Sequence, residues 1–578
     1  MRRRFRHGRR LKWLIFVGCQ IALVTALLWP ALRSAPHTLP TTVSRTSITV
    51  PLLNCWTIWW NADRLTHGLK EYWNAPIFFP ERGTFAFSDP QPATLAVAPW
   101  VWVTRSPVIA YHAYLWLSLL LNGVAAALLL RFLRVGWMLT IAGASAIVLL
   151  PIVWDNVDVV QLVPLWGILL SIRALLQFHE KTSATRAAAV ALATASVFLT
   201  SVHHGLFFVI SMLPACLWLL PLVRQLRWAV HVAGAALLFG VLTAPLLVPI
   251  AQVHAEHRFQ RSRSTQVELS ATLDQWARVP SRGLVSPQQE AVQARALNPG
   301  WIRCALALAA VIITFQRARN RHVVLFLLSF ALTSCVLSFG MNLTLGSWKL
   351  WPVIGRVVPP LDSARSLFRF AYFAQLVIVI VATLGASATL RLLKQYITVT
   401  RNSNGSKLGN RLTRLLSLSA SLLVVSALAI EVPPPRLRLI SVPDTRSDQK
   451  WITYLKKNAQ GQPILCLPFT EGFSEAGLES SARWMLIATQ HRLALVNGYS
   501  GFFPATWYDN VQRFQADRWT VDMLRFLYDS GISVIVIDTR TPSGLSLAGR
   551  SLVIDDFQLT RALVDDRGIE VLRLSRRE

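Results

Sequence analysis

The chain has 578 residues, 53% of them hydrophobic, and a mean hydropathy of +0.43. That excludes an ordinary soluble protein and points to a membrane class. The formal charge of +29 suggests a nucleic-acid binder, but its distribution argues against one. After Pro433, 18 basic and 16 acidic side chains nearly cancel, and the excess collects at the ends of apolar segments, as in the cytoplasmic loops of membrane proteins.

The first ten residues, MRRRFRHGRR, hold six arginines and precede an apolar run. They resemble a signal peptide without a clear cleavage site, so a retained anchor with a cytoplasmic N-terminus is expected. Apolar segments near the length that crosses a bilayer then recur. They fall at 12–32, 108–132, 136–154, 160–177, 187–202, 206–223, 228–252, 301–316, 322–340, 367–393 and 414–432, about eleven in all. None alternates as a barrel strand does, so each is predicted helical. The predicted cytoplasmic loops, Arg131–Arg134, Lys181–Arg186, Arg224–Arg227, Arg317–Arg321 and Arg391–Arg414, are all basic. The opposite loops carry Asp63, Glu71, Glu81, Asp89, Asp155, Asp158, Glu256, Glu268, Asp274, Glu290 and Asp362. The expected architecture is an α-helical polytopic membrane protein, residues 1–432, with structured outer loops at 33–107 and 253–300. An odd number of spans places the remaining chain outside the cytoplasm.

Past Pro433-Pro434-Pro435 the pattern changes. Trp451–Lys457 and Thr520–Ser530 read as helices. Pro463–Pro468, Leu493–Val496, Val534–Asp538 and Ile569–Leu574 read as short buried strands. Strands alternating with helices predict an extracytoplasmic α/β domain over 433–578.

The six cysteines show no metal-ligand spacing, and no divalent metal is indicated. Cys19, Cys216, Cys304 and Cys335 fall in spans, whereas Cys55 and Cys466 leave a disulfide open.

Several polar groups converge on the outer side. Asp63 follows Trp56, Ile58, Trp59 and Trp60 at helical spacing, which predicts an amphipathic helix lying at the membrane interface. Asp63 is then either a working carboxylate or the solvated face of an anchor. Asp89 is the second acid of interest in this loop. Asp155 and Asp158 mark a tight turn between spans, either solvated or used. His203 and His204, next to Gly205, offer a phosphate contact or a proton near neutral pH, or merely form an interfacial turn. Arg258, Arg261 and Arg263 cluster where the positive-inside rule does not explain them, and Arg356, Arg365 and Arg369 face the same side. Such guanidinium groups suit a phosphate, with anionic headgroups as the plainer partner.

Five segments together carry a resemblance: LLNCWTIWWNADRL with APIFFPERGTFAFSDP, LTSVHHGLF, RSRSTQVELSATLDQW, PPLDSARSLFRFAYF, and LVNGYSGFFPATWYD with GISVIVID. In order and spacing the chain resembles bacterial polytopic proteins of the C-type glycosyltransferase superfamily, near the YfhO-like and mannosyltransferase-like members. The resemblance implies an enzyme of the inner membrane. It would move a sugar from a polyprenyl-phosphate donor to a glycan, lipid or protein acceptor on the outer face, with an acidic residue after the first span as base. No cofactor beyond the lipid-linked donor is implied, and membrane lipid is the surrounding partner. The implied catalytic acids are Asp63 and Asp89, and the implied substrate-binding groups are Arg258, Arg261, Arg263, Arg365, Arg369, His203, His204 and Asp158. The sequence departs from the family at one point: where an acid is usual it reads Thr49-Val50-Pro51. An inactive member that binds or helps export lipid-linked glycan is the alternative. Secondary transport fits less well, because the charges sit at span ends.

Overall fold

The computed structural model describes residues 2–280, 295–315, 321–403 and 419–577, apart from 43–44, 46, 221–225, 347, 358–360, 362–363, 420–421, 429, 435, 444–448, 516–517 and 550. Asp362, Glu290, Arg317, Arg224 and much of the predicted 414–432 span lie outside the described residues.

The first half is helical: α1 (Arg2–Ser34), α2 (Thr49–Thr66), α3 (Pro107–Phe132), α4 (Trp137–Val148), α5 (Trp166–Glu180), α6 (Ala184–Thr200), α7 (Val202–Cys216) and α8 (Leu226–His257). It continues with α9 (Trp301–Phe315), α10 (Arg321–Ser338) and α11 (Ala371–Ser403). Among the described residues eight helices are long and apolar enough to cross a membrane, and Ala184–Thr200 and Trp301–Ile313 are shorter apolar helices. The helix breaks follow the local sequence. Pro107 opens α3 behind the Ser106 cap, and Ser183 caps α6. Ser201, extended at φ −161°, ends α6 and caps α7 in one residue.

The C-terminal part is mixed, as expected. It contains α12 (Lys450–Asn458), β3 (Ile464–Leu467), α13 (Glu479–His491), α14 (Ala505–Phe514), α15 (Val521–Asp529) and β4 (Val534–Asp538). It closes with β5 (Leu552–Ile554), β6 (Phe557–Asp565) and β7 (Ile569–Arg576). The sheet order is β3-β4-β7-β6-β5; β3 and β4 run parallel and the other pairs are antiparallel. The predicted strand at Leu493–Val496 is instead a short extended segment bridged to Ile464. Strand β5 is only three residues long and mostly exposed, and β6 alternates polar with apolar residues, so a search for buried apolar runs misses both. A separate antiparallel pair joins β1 (Thr38–Thr41) to β2 (Arg438–Ser441), tying the chain after α1 to the start of the tail.

One expectation is corrected. The Trp-bearing helix α2 does not ride an interface: fourteen of its eighteen residues are buried, including Trp56, Trp59 and Trp60. It lies between α3 and α13, and Trp56 and Trp60 stack with centroids 6.2 Å apart. Its polar residues bond inward, with Asn61 donating to the carbonyls of Pro90 and Gln91. The point left open for Cys55 and Cys466 resolves to two free thiols, one buried in α2 and the other in β3.

One buried apolar cluster runs from the helices through the first loop into the tail sheet. The loop and the tail also join along their main chains. Phe79 N–H donates to Leu495 O at 2.9 Å, Leu495 N–H to Pro76 O at 3.1 Å, Phe78 N–H to Asn497 O at 3.1 Å, and Phe502 N–H to Phe87 O at 2.9 Å. Glycine permits this closeness: a Cβ on Gly498 would lie 2.4 Å from the Phe78 ring, and one on Gly501 would lie 2.9 Å from Phe87 O.

Trp56→Ala should cost about 3–5 kcal/mol, the range for removing a large core aromatic. A lowered thermal transition of the detergent-purified protein checks this, with Trp100→Ala, on a ring 46% exposed, as the mild control.

Candidate functional site

A cavity of about 1600 Å³ opens where the first loop, the 253–300 segment, the residues before α11 and the tail meet. Among the described residues its wall holds six arginines, Arg45, Arg261, Arg263, Arg295, Arg365 and Arg369, against four carboxylates, Asp89, Asp155, Glu268 and Glu475. The surplus of positive charge suits an anionic ligand.

Asp89 is held by the junction of α6 and α7. Ser201 Oγ–H donates to its Oδ2 at 2.5 Å, and the Val202 N–H donates to its Oδ1 at 3.1 Å. The carboxylate thus sits at the N-terminus of α7, where the helix dipole favours negative charge. It keeps a partial opening onto the cavity but is closely surrounded by protein. Burial pushes its pKa up to about 6, against the opposing pull of the bonds from Ser201 and Val202 and of the Arg369 charge. That is the range of a carboxyl able to exchange a proton near neutral pH.

The arginines differ in how they are held. Arg261 lies over the Phe502 ring at 3.9 Å and donates to Gly501 O. Burial, reinforced by the like charge of Arg365, lowers its pKa to about 10, so it stays charged. The Nε atoms of Arg261 and Arg369 are buried without a hydrogen-bond partner in the protein, leaving donors for a ligand. Arg45 bridges two acids: its Nε is 2.9 Å from Asp158 Oδ2 and its Nη1 is 2.7 Å from Glu475 Oε2.

Asp89, His203, Arg261, Arg263, Arg365 and Arg369 therefore share one cavity. The other expected site residues do not line it. Asp63 is almost fully buried in an ion cluster with Arg64, His67 and the tail's Arg492, whose Nη2 is 2.9 Å from Oδ1. It faces neither lipid nor open water, and it fastens the tail to α2. Asp158 is fully buried behind Arg45, and burial raises its pKa despite that partner. Arg258 and Arg356 are exposed away from the cavity. His204 points inward, with its ring 4.9 Å from Tyr372, while His203 reaches the wall.

Sequence reasoning missed Arg45, Arg295, Glu475 and the aromatic wall of Phe87, Phe259, Phe502 and Trp507. Arg45 stands alone in a Thr- and Ser-rich stretch that signals nothing by itself. The aromatics were visible in SGFFPATWYD, but their destination depends on the tail folding back. Val50 and Leu53 of α2 also line the cavity, so the stretch Thr49-Val50-Pro51, where the resemblance implies an acid, presents an apolar side chain to it. Among the described residues no group of three His, Cys, Asp or Glu stands together as a metal site.

No family model matches the chain, and no curated protein does. Among solved structures it is similar to the arabinofuranosyltransferase AftD from Mycobacteria, at 13% identity and a TM-score of 0.59, covering 98% of this chain and 40% of that one. A mutant form of the same enzyme gives 14% identity and a TM-score of 0.55, covering 98% and 41%. The archaeal oligosaccharyltransferase AglB from Archaeoglobus fulgidus, in complex with an inhibitory peptide and a dolichol-phosphate, gives 10% identity and a TM-score of 0.48, covering 92% and 70%. This chain spans about two fifths of the AftD chain. The likeness shows the fold alone: this chain is built like the matching two fifths of AftD.

A carboxyl whose pKa is about 6 folded, against 3.8 for the free group, binds more protons in the folded state. Its contribution to stability therefore declines as pH rises through that window and is constant above it. Relative to Asp89→Asn, the melting temperature of the wild type should fall between about pH 4 and pH 6 and run parallel at higher pH.

Proposed function

We propose that this chain is an integral-membrane glycosyltransferase, taking a sugar from a polyprenyl-phosphate donor to a hydroxyl of an acceptor. The observation that carries this reading is Asp89 standing in the same cavity as Arg261, Arg365 and Arg369. In the proposed step Asp89 takes the proton of the acceptor hydroxyl as its oxygen bonds to the anomeric carbon. The bond from that carbon to the phosphate oxygen breaks, and the phosphate leaves with the pair. The arginines neutralise the charge that develops on it. The apolar wall, including Leu206, Leu247 and Ile250, suits the first isoprene units of the carrier. The orientation goes with this reading: the cavity and tail face away from the cytoplasm, where lipid-linked sugars are used.

A second reading, a protein that holds lipid-linked glycan without turnover, is favoured by Val50 on the cavity wall. It requires lipid binding without transfer, and Val50→Asp would then create activity.

Labelled polyprenyl-phosphate sugars supplied to the purified protein separate the two. Asp89→Asn should lower kcat by about 100-fold or more, the usual scale for a lost acid–base group. Wild-type transfer should fall about tenfold per pH unit below pH 6, as the carboxyl of Asp89 takes up its proton. Asp63→Asn should leave kcat within about threefold, because its carboxylate lies outside the cavity and takes no part in the transfer step. Equal transfer in wild type and Asp89→Asn would remove the assignment.

Arg365→Ala with Arg369→Ala should weaken binding of the polyprenyl phosphate by about 100-fold or more for the pair, since each charge-assisted bond contributes about 1.5–3 kcal/mol. Native mass spectrometry with undecaprenyl phosphate reads this directly. A reporter enzyme active only outside the cytoplasm, fused after the tail, checks the orientation.

A further inference from the structure

The cavity has one element that the transfer step does not use. Phe473 and Tyr508 of the tail both line it, yet they are 63% and 47% exposed. Their rings stand 6.4 Å apart with planes 20° from parallel. Behind them Trp507 is buried, 5.1 Å from Tyr508 and 6.0 Å from Phe473 by ring centroids. The Trp507 indole Nε1–H is buried and has no acceptor in the protein.

The chain fixes this arrangement deliberately. Phe503 packs on Trp507 at 4.2 Å, and Thr506 Oγ1–H donates to Glu81 of the first loop at 2.6 Å. The rings are thus held against a rigid support rather than on a loose loop. Two large rings left open side by side are costly unless something covers them. The cation–π contacts among the described cavity residues are Arg261 over Phe502 and Arg295 over Phe368, so the charged partners sit on other rings.

We propose that Phe473 and Tyr508 form a platform for a sugar ring of the acceptor, with Trp507 beneath it as a hydrogen-bond donor. A neutral sugar ring has an apolar C–H face that packs on aromatic faces and a rim of hydroxyls that need polar partners. Tyr508 O–H and Trp507 Nε1–H supply that combination of apolar body and polar handle. Few convergent polar groups on an aromatic wall are what orient a small ligand. The platform makes the acceptor a glycan rather than a protein side chain or a simple lipid. This inference rests on the glycosyltransferase reading and extends it to the acceptor.

The test uses the full chain in detergent with fluorescently labelled arabinotetraose, mannotetraose and cellotetraose, read by anisotropy. At least one should bind, and Phe473→Ala with Tyr508→Ala should raise its Kd tenfold or more. Trp507→Phe, which keeps the ring packing but removes the donor, should raise it several-fold. Undecaprenyl phosphate binding in the same samples should be unchanged, which shows that the variants are folded. If no tetrasaccharide binds, or the double variant binds as well as wild type, the platform is wrong. Retained undecaprenyl phosphate binding without any glycan binding overturns the platform alone, whereas loss of that lipid by the wild type overturns the transferase reading.

Discussion

The structure depends on main-chain pairing between the first loop and the tail. Segments near residues 76–87 and 495–502 are separated by more than four hundred positions, yet they exchange backbone hydrogen bonds across a glycine-lined contact. Buried backbone groups must be paired, so neither segment keeps this course without the other. Two walls of the cavity are brought together by this contact. It sets Phe87 and Asp89 on one wall and Tyr499 to Tyr508 on the next.

Ion pairs then fix the angle of the tail. Arg45 holds Asp158 beneath it and Glu475 in the tail, and Asp63 holds Arg492. Pairs with one member buried are poor sources of net stability, because removing charge from water is costly. They are effective at specifying geometry, because breaking one strands the other charge. The acids that look most like catalysts in the sequence, Asp63 and Asp158, are spent in this way. Asp89 stays available because its partners are a hydroxyl and a backbone amide rather than a guanidinium.

The helical membrane portion and the mixed tail were legible because hydrophobic length and strand patterning are local signals. The burial of α2 was not. Trp56, Trp59, Trp60 and Asp63 give the same spacing whether the covering surface is lipid or protein, and here the tail helix α13 supplies the cover. The site was legible in its chemistry but not in its membership. Arg261, Arg365, Arg369 and Asp89 stood out as charges without a local explanation, and they meet in one cavity. Arg45 and Glu475 were invisible, because their meaning comes from contacts across more than four hundred residues. Asp63 drew attention by its position after the first span, and its partner Arg492 lies equally far along the chain.

The pairing of residues 76–87 with 495–502 also sets an order of events during biosynthesis. The ribosome delivers the first loop long before the strand-like segment that completes it. Throughout synthesis of the intervening helices, Phe79 N–H and the Pro76 and Phe87 carbonyls must be satisfied by water or by a helper protein. The cavity therefore cannot close until the last quarter of the polypeptide has emerged. A nascent or truncated chain, though already threaded through the bilayer, carries the arginines without the wall that confines their ligand.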